Sequence, residues 1–255
     1  MCSRPYRVKW LWIIGDCHGE IFSNHLKHFV FKRDDKTVVR LKRAHLKRCL
    51  AYSLNRLGSS MKCREQLLRV LKTLDPKTCE VLLSFGEIDC RCHIVGQAIK
   101  QNRSIKQVVN ECVDKYFEVV LKDIVSKGLT TYIWNVPPPQ QTALSEEFLR
   151  STPYAKRKRA VHLFNRRLSL RCKKSGIPFL TVFSKVTDEN GDRLPLLCER
   201  HSQHLFPTAM PFVVEEMKRV GIGTLWTNRT IFNLLQKGGK VVEDSTIRRE
   251  ARRFV

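Results

Sequence analysis

The sequence predicts an α/β protein in which a parallel sheet is covered by helices on both faces. Three observations predict it. Four largely apolar runs, Val8–Ile14, Cys79–Phe85, Thr130–Val136 and Ile177–Phe183, read as strands buried on both sides. Segments with helical periodicity lie between them, so that strand and helix alternate about every 40 residues. The chain has 255 residues, 42% of them hydrophobic, enough material for a sizeable core.

The elements follow in order. Val8–Ile14 is aromatic and β-branched and runs into a turn at Gly15. Ile21–Phe31 reads as a helix followed by an extended piece, and Lys32–Lys36 as a charged turn. Thr37–Leu41 is a short strand. Arg43–Leu57 is a basic amphipathic stretch that stops at Gly58-Ser59-Ser60. Leu67, Leu68, Leu71 and Leu74 give Cys63–Leu74 a helical period, which Asp75-Pro76 breaks. After the Cys79–Phe85 strand and Gly86, a long helix spans Ser104–Lys127, and Gly128 caps it. Pro137-Pro138-Pro139 stops the third buried strand. Tyr154–Lys174 is a basic helix closed by Ser175-Gly176. The fourth buried strand, a loop at Asp188–Asp192 and a helix at Pro207–Val220 complete a domain over residues 1–220. Residues 221–255 read as a basic C-terminal extension.

Charge narrows the partners. Lys and Arg number 47 against 24 Asp and Glu, a net charge of +23 that attracts nucleic acid, anionic lipid or acidic polysaccharide. Lys156-Arg157-Lys158-Arg159 is the densest basic run. An apolar run at Trp10–Gly15 is cut off by Asp16 and His18, so no membrane span or secretion signal is expected, and the cytoplasm is the expected compartment. The ten cysteines are then expected as reduced thiols. Cys90, Cys92 and His93 lack a second pair at zinc-finger spacing, so neither a metal nor another cofactor is expected. Strand ends without a carboxylate cluster argue against a metal-dependent nuclease.

In open parallel sheets the site lies at the carboxyl ends of the strands. There the chain carries Gly15-Asp16-Cys17-His18-Gly19 and Gly86-Glu87-Ile88-Asp89-Cys90-Arg91-Cys92-His93, with His201-Ser202-Gln203-His204-Leu205 before the last helix. Together these blocks resemble the SGNH/GDSL hydrolase superfamily over roughly residues 8–220. The resemblance implies a three-layer α/β/α sandwich with a five-stranded parallel sheet in flavodoxin-like order. It also implies acyl transfer by a nucleophile after the first strand, a late histidine base and backbone oxyanion donors.

Carried over by position, the nucleophile falls on Cys17 and the base on His204. The orienting Asp position holds His201, and the oxyanion Asn position holds Ile88. Asp16 is expected to brace the turn, and Asp89 and Arg91 to form an ion pair. Gly86 and Arg91 are candidates for oxyanion or site support, and Glu199 or Asp192 for orienting His204. Gly58 or Arg48 stands nearest the block-two glycine. Two readings remain open. One is a hydrolase with a Cys-His site for a small acylated substrate, with a carbohydrate O-acetyl ester suggested by the resemblance. The other is an inactive relative that binds an anionic polymer through its basic surface.

Overall fold

Alternation along the first strand shows how the layers arise. In β1 (Arg7–Gly15), Leu11 and Ile13 enter the core on one face, while Ile14, with Trp10 and Trp12 half-buried beside it, packs on the other. The computed structural model describes residues 7–22, 30–34, 36–141, 152–198 and 204–226. Six further strands are β2 (Val30–Lys32), β3 (Thr37–His45), β4 (Cys79–Ser84), β5 (Thr130–Trp134), β6 (Phe179–Leu180) and β7 (Thr224–Trp226). They form one sheet in the order β6-β5-β4-β1-β3-β2-β7.

The pairings between β6, β5, β4, β1 and β3 are all parallel, and these five strands carry the expected flavodoxin-like order. Among the described residues the expected count of five is corrected to seven, because β2 and β7 add an antiparallel edge. Each has only three residues, too few for a period to show in the sequence. The sheet thus takes in Thr224–Trp226, beyond residue 220, while residues 227–255 lie outside the described ones.

Helices α1 (Cys63–Leu71), α2 (Ile94–Lys100), α3 (Ile105–Val119) and α4 (Tyr154–Ser175) bury their apolar stripes on one face. Helix α5 (Met210–Arg219) and the segment bearing Ile21 and Phe22 cover the other. Ser104 and Gln107 close a capping box at the start of α3. A wider turn at Val120–Ile124 carries that helix on to Gly128, which adopts φ +77°. Among the described residues no helix is long and apolar enough to cross a membrane.

Two local departures bear on the site. The expected amphipathic stretch from Arg43 instead continues β3 to His45, because pairing with β1 runs to Gly15↔His45 and Leu46 N–H donates to the Gly15 carbonyl at 2.8 Å. Asp89 does not pair with Arg91. It is buried and accepts the backbone N–H of Ala51 at 2.8 Å and of Tyr52 at 3.1 Å, tying the segment after β3 to the segment after β4. Burial pushes this carboxyl above its ordinary value, and those two N–H donors work against the shift.

Candidate active site

Gly15 lets the ends of β1 and β4 meet. A Cβ there would lie 2.0 Å from the Ser84 carbonyl oxygen, and Asp16 N–H donates to that same oxygen at 3.1 Å. The chain then turns sharply. Asp16, with 1% of its surface exposed, accepts the His18 backbone N–H at 2.9 Å and caps the turn Cys17–Gly19, as its expected bracing role requires. This turn holds Cys17 half-buried at the strand end and sends the His18 ring inward.

His18 has carboxylates on both ring nitrogens. Nδ1 lies 3.1 Å from Asp16 Oδ1 and 3.7 Å from Cys17 Sγ, and Nε2 lies 3.6 Å from Glu87 Oε2. Burial opposes protonation of this ring, but the charges of Glu87 and Asp16 and the Asp16 hydrogen bond raise its pKa well above the usual value. Glu87 is buried in turn, and its Oε1 accepts Arg91 Nε–H at 2.8 Å. Arg91 therefore pairs with Glu87, one helical turn away, and not with Asp89.

His204 arrives from the other end of the chain. An antiparallel bridge between Cys198 and Leu205, with both side chains buried, fixes the approach, and Pro207–Ala209 turns the chain into α5. The His204 ring meets that of His18 edge to face with centroids 5.1 Å apart, and its Nδ1 lies 3.8 Å from Glu20 Oε2. Cys17 Sγ and one nitrogen from each of the two histidines all lie within 4.8 Å of one another. Burial disfavours the Cys17 thiolate, yet hydrogen bonds to His18 and His204 and the charge on His18 outweigh it and bring the thiol down to about 7.

The structure brings together Asp16, Cys17, His204 and, through Glu87, Arg91. It also adds two residues that carried no assigned role in the sequence: Glu87 and Glu20. Glu87 sits inside a recognised block, and the signal for it was a charged residue directly after a buried strand. Glu20 had no such signal. His201 and Glu199 lie outside the described residues. Asp192, weighed as a partner for His204, is engaged by Tyr154 and Lys158 instead. Gly86 adopts φ +111° with its Cα face against Phe164, where a Cβ would lie 2.5 Å from the ring, so it shapes the β4 exit. Arg48, and not an exposed glycine, holds the left-handed backbone (φ +53°) in the turn after β3 that packs beside Gly15, whereas Gly58 has open space around it.

No family model and no curated protein matches the chain. Solved structures do. A GDSL-like lipase from Bacteroides thetaiotaomicron is 12% identical with a TM-score of 0.50, over 90% of this chain and 89% of that one. A proposed acylhydrolase from Bacteroides fragilis is 12% identical with a TM-score of 0.51, over 89% and 88%. A lipolytic protein of the G-D-S-L family from Desulfitobacterium hafniense is 13% identical with a TM-score of 0.50, over 83% and 99%. The sheet order, the strand-end site and these likenesses agree, and the chain has the fold of the SGNH/GDSL hydrolases.

Proposed function

We propose that the protein is a thiol-dependent acyl hydrolase acting on small acylated substrates, with a carbohydrate O-acetyl ester as the example to try first. Fold alone does not supply an activity, so the reading rests on the site. The observation that carries it is the half-buried Cys17 sulfur 3.7 Å from the His18 ring and within 4.8 Å of a His204 ring nitrogen, each imidazole with a carboxylate beside it.

His204 takes the thiol proton, and the thiolate attacks the ester carbonyl carbon. A C–S bond forms and the carbonyl oxygen gains the negative charge. His18 remains an imidazolium between Asp16 and Glu87 and supplies fixed positive charge to the thiolate and the oxyanion. Backbone N–H groups near Cys17 and the Arg91 guanidinium N–H groups not spent on Glu87 add donors. Collapse breaks the C–O bond, and the alcohol leaves with the proton from His204. Water, deprotonated by His204, then attacks the thioester and releases the acid and the thiolate. Phe206, 36% exposed and two residues from His204, offers an apolar surface for an acyl group. Hydrolysis of p-nitrophenyl acetate and of an acetylated sugar is expected to fall about 100-fold or more in Cys17→Ala and in His204→Ala. Equal rates in all three proteins would refute the reading.

A second reading has its own observation. The exposed cations of α4 are Lys156, Arg159, Arg166, Lys173 and Lys174, whose spacing of 3, 7, 7 and 1 residues puts them on one side of the helix. Other basic residues of the helix are committed internally. Arg157 is buried on the carbonyls of Gln140 and Thr152, and Arg167 forms a bidentate pair with Asp114. If an anionic polymer is the partner, Lys156→Glu/Arg159→Glu elutes from heparin at lower salt than the wild type. Unchanged elution would remove this reading.

A further inference from the structure

Cys17, His18 and His204 form a donor set as well as a reaction centre. Zinc bonds thiolate sulfur at about 2.3 Å and imidazole nitrogen at about 2.0 Å, which at tetrahedral angles sets S and N about 3.5 Å apart. Cys17 Sγ and His18 Nδ1 are 3.7 Å apart, and the third donor, from His204, lies within 4.8 Å of both. Cys17 and His18 already stand close to that spacing, and an inward shift of the His204 ring completes the set around one ion.

Two further features point to a metal ion. Ligating histidines typically present their second nitrogen to a carboxylate, which orients the ring and makes it a better donor. Both histidines here lie beside one, His18 Nε2 at 3.6 Å from Glu87 and His204 Nδ1 at 3.8 Å from Glu20. The side chains of His18 and Asp16 are also nearly inaccessible, and the buried Asp16 Oδ2, His18 Nε2 and Glu87 Oε2 lack hydrogen-bond partners. Unsatisfied carboxylate oxygens around a two-nitrogen, one-sulfur set favour a divalent cation.

We propose that the site binds one Zn²⁺ ion through Cys17, His18 and His204, with Glu87 and Glu20 orienting the two rings and a fourth position left for water. The ion occupies the Cys17 sulfur and the His204 nitrogen that acyl transfer uses and displaces the proton that His18 Nδ1 shares with Asp16, so bound zinc blocks hydrolysis and a chelator restores it. This inhibition rests on the acyl-hydrolase reading, whereas binding does not.

The test is titration of the full-length, chelator-treated protein with Zn²⁺ against a chromophoric chelator, and with Co²⁺ by absorption. Expected are one ion per chain, a thiolate-to-cobalt charge-transfer band in the near ultraviolet, and protection of Cys17 from iodoacetamide by Zn²⁺. Cys17→Ala abolishes the band, Glu20→Gln weakens Zn²⁺ binding about 10- to 100-fold, and Cys92→Ser changes neither. Absence of the band in a wild type that competes poorly for Zn²⁺ overturns the proposal, as does Zn²⁺ binding that survives in Cys17→Ala and in His204→Gln alike. Hydrolysis by the zinc-free enzyme is read separately. Activity without metal binding defeats only this inference, and metal binding without activity defeats only the acyl-hydrolase reading.

Discussion

At the scale of single residues, the site depends on compensation between burial and charge. Cys17 is partly buried, which alone would keep the thiol protonated, and the two histidines reverse that balance. Since the thiolate is the reactive form, alkylation of Cys17 in chelator-treated protein rises with pH and levels off above about 7. Removing the His204 hydrogen bond takes away one of the contributions that lower the thiol, so His204→Ala moves the midpoint upward, toward that of a free thiol. Mass-mapped iodoacetamide labelling against pH measures both curves, and superimposable curves would contradict this account. Cys17 and His204 were legible in the sequence because they occupy recognisable blocks. The role of Glu87 was not, since only the fold shows that its carboxylate reaches back across the sheet end to His18 while also holding Arg91. The expected Asp89–Arg91 pair failed for a related reason. The nearest opposite charge in sequence is not the nearest in space when the chain turns through Asp89–His93.

At the scale of elements, the site depends on β1 and β4 ending side by side. The register Gly15↔Ser84 puts the turn at Asp16 directly over the end of β4, and only a glycine fits there. Gly15→Ala places a methyl group against backbone, which flexible side chains cannot relieve. The expected cost is about 2 kcal/mol or more, read as a lower urea midpoint at unchanged slope. An unchanged midpoint would show that the two strands separate freely. Four of the five parallel strands were readable from their apolar runs and β3 only as a shorter strand, and the helices α1, α3, α4 and α5 from their period. Helix α2 was not read, because it has seven residues and follows an irregular turn without a cap. Glu80 inside buried β4 looks anomalous in sequence. Arg33 resolves it with two contacts of 2.7 Å, joined by the Tyr132 hydroxyl at 3.3 Å, and this partner comes from the edge of the sheet.

At the scale of the molecule, three distant stretches meet at one rim: residues 16–20 after β1, residue 87 after β4, and residue 204 ahead of α5. The parallel topology makes this convergence possible, because every strand end that matters points the same way. The large positive charge carries less meaning than its total suggests, since several α4 cations are held by Asp114, Asp192 or backbone carbonyls. Pairings of that kind depend on tertiary contacts and do not show in composition. In the proposed reaction Cys17 forms the bond to the acyl group. Rapid quenching during turnover of p-nitrophenyl acetate, followed by peptide mass mapping, tests it most directly. One hydroxylamine-labile acetyl group is expected on the peptide containing Cys17, absent in Cys17→Ala. Turnover with no acyl group on Cys17, or with the acyl group on another side chain, would contradict it.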